Sequence, residues 1–248
     1  MRLSKLKKIS QELRPKYNPN SIGAGIVHIG LGAFHKAHQA AITDEVIEKN
    51  GGDWRIIGVS LRSERARNEL APQNGLYTLL IKDNSNVKAR IIASISKVIC
   101  SAEESETVIN ALASPKTKIV SLTVTEKAYG LNSQGYGCDV NHSSVSLDLE
   151  NFDNPHGVLG ILVKALSIRM QNDILPFTVL CCDNLPNNGK LVGEAVIDFA
   201  KHIDPVLADW IKKILLFHLP WLTELHQPQH KKHCNRHKKL LDVLTLEL

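Results

Sequence analysis

Along this chain, short apolar runs alternate with stretches of helical period. Residues 26–30, 56–60, 118–123 and 177–182 are dominated by aliphatic side chains, the pattern of strands buried on both faces. Residues 37–49, 102–113, 158–171 and 189–202 carry apolar side chains at helical spacing, and Asn50, Gly51 and Gly52 stop the first of these helices. Residues 76–82 and 89–98 alternate as strands do. Asp83, Asn84, Ser85 and Asn86 between them form a turn, which predicts a hairpin. Strand–helix alternation of this kind predicts an α/β fold: a doubly wound, mainly parallel sheet with helices on both faces and an added β-hairpin. The chain contains no internal repeat.

Composition narrows the picture only a little. A chain of 248 residues with 43% hydrophobic and 22% charged residues is long enough for a full core in one large or two small domains. The net charge of +5 is mild, and much of it sits in the runs 2–8 and 231–239, which read as solvated faces, so no nucleic-acid partner is expected. No stretch is long and apolar enough to span a membrane. The first thirteen residues alternate charge and aliphatics without a signal-peptide core and read as a short amphipathic helix. The 5 cysteines lack metal spacing. Cys181 and Cys182 lie in an apolar strand as buried thiols, which suits a reducing cytoplasm.

The sequence from Ile26 to Ala40 carries the chemistry. It reads as a strand, a tight turn through Gly30 and Gly32, and a helix start at Ala33, Phe34 and His35. Two glycines let the backbone approach a dinucleotide's pyrophosphate, and free N–H groups at the helix start face the negative charge. His35 stands where the third glycine of that pattern would be. His35 and His38 could share a metal, but two ligands are too few and no third is placed; no metal site is expected. Ligands of open α/β sheets sit beyond the carboxyl ends of the strands. There, Ser60 and Arg62 follow one strand, Thr123, Val124 and Glu126 another, and Asn184 a third. No acidic residue follows residues 56–60 to hold an adenosine ribose; Arg62 faces either a 2′-phosphate or solvent. Glu126 is either a functional carboxylate or half of a surface ion pair. Asn184 is either a functional amide or part of a turn and helix cap.

The run Gly30-Leu-Gly-Ala-Phe-His-Lys-Ala-His-Gln-Ala40 resembles the signature of the mannitol 2-dehydrogenase/fructuronate reductase family, the long-chain polyol dehydrogenases. Three further segments match in order, at residues 53–63, 119–129 and 177–189, and the resemblance runs from about residue 14 to 213. Lys36 replaces the usual arginine, keeping the charge but not the fork geometry. The resemblance implies a Rossmann-like, metal-independent oxidoreductase, cytoplasmic and monomeric. It would move a hydride between NAD(H), in preference to NADP, and a secondary alcohol or ketone of a small-molecule polyol or sugar acid. It implies cofactor contacts at Gly30, Gly32, Ala33, Phe34, His35, Ser60, Arg62, Thr123 and Val124. Asn184 would polarise the substrate oxygen, and Glu126 would take part in proton traffic.

The family's general base is a lysine in a Lys-x-x-x-x-Asn-x-x-His motif, and none of the 248 residues forms that pattern. After Lys213 the composition turns rich in His and Lys. Synonymous codons for residues 214–229, read one base earlier from the third base of the Lys213 codon, spell Asn-Ile-Ala-Phe-Pro-Ser-Thr-Met-Val-Asp-Arg-Ile-Thr-Pro-Ala-Thr, as a family member would continue. The expected division is therefore an N-terminal segment (1–24), an NAD-binding domain (25–213) and an out-of-frame tail (214–248) in place of a helical catalytic domain. Two alternatives accompany this reading. One is an inactive nucleotide-binding remnant. The other is a chain completed by a separately translated C-terminal half.

Overall fold

A computed structural model describes residues 10–83, 86–132 and 136–218. The expected amphipathic N-terminus, the tip of the 83–86 turn and the expected out-of-frame segment beyond residue 218 lie outside the described residues.

Five parallel strands form the central sheet: β1 (Ala24–Ile29), β2 (Arg55–Ser60), β5 (Ile95–Cys100), β6 (Ile119–Leu122) and β7 (Thr178–Cys181), in the order β5-β2-β1-β6-β7. The antiparallel pair β3 (Tyr77–Asp83) and β4 (Asn86–Ile92) stands apart as a two-stranded ribbon. The helices are α1 (Ala33–Ala37), α2 (Gln39–Asn50), α3 (Arg65–Leu70), α4 (Ser101–Ala113), α5 (Ser143–Glu150), α6 (Val158–Gln171), α7 (Asn188–Ile203) and α8 (Pro205–His218). This is the Rossmann-like, doubly wound architecture with an added hairpin.

Strand alternation sorts the core into two faces. Val27 and Ile29 of β1 pack with Val59, Ile99, Val120 and Leu122 against α4, α6, α7 and α8. Ile26 turns the other way, to join Ile56, Ala40, Ala41 and the hairpin residues Tyr77, Leu79 and Ile92. Complete burial of each of these aliphatics contributes roughly 1.5–3 kcal/mol, so the two faces together hold the sheet between its layers. Arg169 is buried near the end of α6 and ties the layers' edges. Its guanidinium donates to the carbonyls of Leu112 (3.0 Å) and Thr117 (2.7 Å) and lies 4.9 Å from the Phe177 ring centre.

Two expected elements are corrected. The single strand expected over 89–98 is two strands. β4 ends its pairing at Ile92 opposite Tyr77, and β5 begins at Ile95 in the parallel sheet beside β2. No glycine or proline marks the break. Contacts with distant residues make it: Asp44 accepts from the Ala93 N–H at 2.9 Å, Arg55 donates to the carbonyls of Ala93 (3.0 Å) and Ile95 (2.7 Å), and Ser94, within the break, donates to the distant Ala40 carbonyl at 2.7 Å. The helix start expected at Ala33 and the helix expected over 37–49 belong to two helices, α1 and α2, parted at His38. There the His38 Nδ1–H and its backbone N–H both donate to the Phe34 carbonyl at 3.1 Å. Helices α3, α5 and α8 were not expected; α3 and α5 are too short for their periodicity to stand out.

Candidate functional site

The sheet changes winding direction at β1, which has β2 on one side and β6 on the other. Ligands of such sheets bind in the crevice at this point. Two glycines shape it for different reasons. Gly30 leaves β1 with φ +102°, and a Cβ there would lie 2.3 Å from the Thr123 carbonyl oxygen and 3.2 Å from Val124. Its N–H and that of Leu31 donate to the Val59 carbonyl at 2.9 and 3.2 Å. The protein's own backbone therefore demands glycine at 30. Gly32 has extended backbone, and the nearest atom to a Cβ there would be the Gly30 carbonyl oxygen at 3.7 Å. Among the described residues nothing fills that space. Gly32, Ala33 and Phe34 are exposed, Phe34 by 58%. The first helical bond past the turn is the Lys36 N–H to the Gly32 carbonyl at 3.1 Å, so the amides ahead of it point out of the turn.

Beneath the turn lies a polar network inside an otherwise apolar strand. His28 is buried, with Nδ1 2.9 Å from Ser121 Oγ and Nε2 2.9 Å from Thr123 Oγ1. The Thr123 hydroxyl donates its one proton to the Gly30 carbonyl at 2.9 Å. It must then accept from His28 Nε2–H, which leaves Nδ1 to accept from Ser121. This chain of bonds fastens the end of β1 to the end of β6. The sequence expectation put His35 at the opening. The structure places its imidazole below the turn, fully buried and stacked on His28 with ring centres 3.5 Å apart, so only the His35 backbone reaches the crevice. Burial pushes His28 down to about 3, and burial with the His28 neighbour pushes His35 down to about 2. Both are neutral. His38 remains outside, stacked on Phe34.

Ser60 ends β2 half-buried, one residue past the Ile29–Val59 register pair, and Arg62 is exposed beyond it. Gly30, Ser60, Thr123 and Val124 thus gather at three adjacent strand ends. Glu126 is exposed on the turn that follows β6 and, among the described residues, forms no ion pair with Lys127.

Asn184 follows β7 on the same edge. Its neighbour Asp183 is clamped: the Tyr129 hydroxyl donates to Asp183 Oδ2, the Asn188 amide donates to Oδ1 at 3.0 Å, and the Leu185 N–H donates to Oδ1 at 3.2 Å. Asn188 also donates to the Cys181 carbonyl at 3.2 Å, which fixes the start of α7 to the end of β7. Asn184 itself is exposed and uses none of these bonds, so its amide is available to a ligand. A cavity of about 500 Å³ opens beside it, lined in part by Glu126, Lys127, Asn132, His142, Leu185 and Leu191. The cavity brings Glu126 and the 184–185 turn together, although Asn184 does not line it. Burial pushes the Cys181 thiol up to about 12 and the Cys182 thiol up to about 11, so neither is a nucleophile. Sequence reasoning passed over His28, Tyr129 and Asn188. Only His28 left a signal, as a lone ionisable residue in an aliphatic strand.

Comparison with known proteins follows this geometry. The profile of the mannitol dehydrogenase Rossmann domain matches residues 24–218. An uncharacterised oxidoreductase, YeiQ, of Escherichia coli K12 is 39% identical over 205 residues, covering 82% of this chain and 42% of that protein. The D-mannonate oxidoreductase of the same organism is 37% identical over 208 residues, covering 82% and 43%. The solved structure of Pseudomonas fluorescens mannitol 2-dehydrogenase, a ternary complex with NAD and D-mannitol, superposes with a TM-score of 0.80 at 38% identity, covering 86% of this chain and 45% of that one. The chain spans less than half the length of each of these relatives.

Proposed function

The chain belongs to the mannitol dehydrogenase family, and from that premise we propose that it is the NAD(H)-binding part of an oxidoreductase acting on a secondary alcohol or ketone of a polyol or sugar acid. The observation that carries this reading is the empty flank of Gly32 at the point where the sheet changes direction. The fold does not need glycine there, whereas a pyrophosphate approaching the backbone does. The residues present fit the dinucleotide. Gly30, Gly32, Ala33 and Phe34 would hold its phosphates through backbone amides, Ser60 and Arg62 would lie toward its adenosine end, and Thr123 and Val124 toward its nicotinamide end. NAD(H), when bound, supplies the hydride acceptor or donor. The solved relative's complex with NAD supports NAD as the cofactor.

The remaining chemistry belongs to the chain's own side chains. Asn184, held in place by the clamp on Asp183, would donate its amide N–H to the substrate oxygen and stabilise charge developing there. An amide suits this task because it does not titrate. Glu126 would exchange a proton with solvent at the cavity mouth. The lysine base that the family uses is not among these residues. We read residues 25–213 as the nucleotide-binding unit and 214–248 as an out-of-frame tail. Among the described residues no helix is long and apolar enough to cross a membrane. The cysteines at 100, 138, 181 and 182 are free thiols, which suits a cytoplasmic reading.

The test is titration of the full chain with NADH and, in parallel, NADPH, followed by fluorescence energy transfer from tryptophan. Saturable NADH binding in preference to NADPH is expected. Absence of saturable binding to either would overturn the reading.

A further inference from the structure

Far along α7 from the crevice, three side chains of metal-ligating type converge. Asp198 and His202 are four residues apart on α7 and so lie on one helix face. Cys138 arrives from the loop before α5, which is pinned there by its bridge to Leu131. One ligand atom from each of the three lies within 4.8 Å of the other two. The Asp198 carboxylate is already fixed by the Cys138 N–H at 3.1 Å, and the Cys138 Sγ stands 3.6 Å from the same oxygen. In a tetrahedral zinc site, bonds of about 2.3 Å to sulfur and about 2.1 Å to oxygen put those two atoms about 3.6 Å apart. The pair therefore already has the spacing of two ligands on one metal. His202 is exposed and, among the described residues, has no hydrogen-bond partner, so its ring is free to close the remaining gap of about 1 Å.

We propose that Cys138, Asp198 and His202 form a binding site for a thiophilic divalent cation of the zinc type, with a water in the fourth position. The thiolate and carboxylate together carry two negative charges, which the cation offsets. On binding, the Cys138 S–H bond breaks, its proton leaves to solvent, and the sulfur's electron pair forms the bond to the metal; no oxidant is involved. Lys201 sits 3.9 Å from the other Asp198 oxygen and, being largely exposed, swings out to solvent as the cation enters. The cation would join Cys138 to α7. The ligands are 60 residues apart between loop and helix, so no linear spacing motif announces the site.

The test adds cobalt(II) alone to the reduced full-length chain carrying Cys234→Ser, because a Cys234 thiolate would otherwise give a band of its own. A near-ultraviolet thiolate-to-cobalt absorption saturating at one cobalt per chain is expected. The band should vanish in Cys138→Ser. In His202→Ala, an exposed position that leaves folding intact, the dissociation constant should rise by more than about tenfold, the loss that even an outer-shell partner can cause. Absence of the band, its persistence in Cys138→Ser, or an unchanged constant in His202→Ala would each overturn the assignment and leave a thiol hydrogen-bonded to a carboxylate.

Discussion

The imidazole of His35 lies face to face with that of His28, ring centres 3.5 Å apart and planes 15° from parallel, and both ring nitrogens of His35 lack a hydrogen-bond partner. Two neutral imidazoles in the core have a consequence for acid stability. In the unfolded chain each binds a proton as pH falls through about 6.5, whereas in the fold His28 and His35 resist protonation down to about 3 and about 2. The unfolded state then holds more protons, so stability falls as pH drops below about 6.5, by up to about 1.4 kcal/mol per pH unit for each ring. His35→Phe keeps the stack and gives up no hydrogen bond. Its urea midpoint should therefore decline less steeply than that of the parent between pH 6 and pH 4. Parallel declines would show that His35 does not stay neutral.

The two glycines of the turn should fail in different ways. Gly30→Ala puts a Cβ against the Thr123 carbonyl and forces alanine to a positive φ. Strain of this kind costs about 1–3 kcal/mol before the clash is added, so thermal melting should show a clear loss of stability. Gly32→Val places its Cβ 3.7 Å from the Gly30 carbonyl oxygen, an ordinary contact, in an extended backbone. It should cost at most about 1 kcal/mol of stability and yet abolish NADH binding. Unchanged NADH affinity in a folded Gly32→Val chain would remove the pyrophosphate from this turn.

A paired assay addresses turnover. On the reading that residues 214–248 are out of frame, the chain as it stands and one restored by reading a base earlier from the Lys213 codon should be compared on mannitol with NAD, and on fructose and fructuronate with NADH. Only the restored chain should turn over, because a positioned general base typically contributes about 10²–10⁴-fold in rate and correct substrate placement adds to it. Comparable rates from the two would show that the lysine motif is dispensable.

In the restored chain, Asn184→Ala should lower kcat by about 10²–10³-fold, the usual cost of removing one donor to a developing oxyanion. Asn184 is exposed and takes no part in the Asp183 clamp, so melting temperature and NADH affinity should stay at parent values. A loss confined to KM, with kcat intact, would mark Asn184 as a binding contact only.

The parallel sheet was legible in the sequence because strands such as β1 and β6 are buried on both faces and read as solid apolar runs. Residues 158–171 matched α6 to the residue, since its helical period is long and uninterrupted. The break between β4 and β5 was not legible. It is written in Asp44 and Arg55, which reach Ala93 and Ile95 from elsewhere in the fold, and in the distant Ala40 carbonyl that Ser94 finds, whereas local sequence announces only glycine and proline breaks. The crevice was legible at Gly30 and Gly32 because backbone geometry there is chemically restrictive. The inward turn of His35 was not, since helix position 3 past a glycine turn can face either way until the sheet fixes the helix's rotation. Tyr129 and Asn188 declare themselves only through Asp183, their shared partner in space.

Gly30 and Gly32 stand two positions apart yet answer to different demands, one from the chain's own backbone and one from open space. In a lineage that has stopped using nucleotide but still folds, Gly30 would be retained while Gly32 drifts to alanine, serine or larger residues. The present chain has glycine at both. The pair thus works as a clock for the loss of use: among close copies of this gene, side chains accumulating at position 32 ahead of position 30 would date the point at which the crevice ceased to be needed.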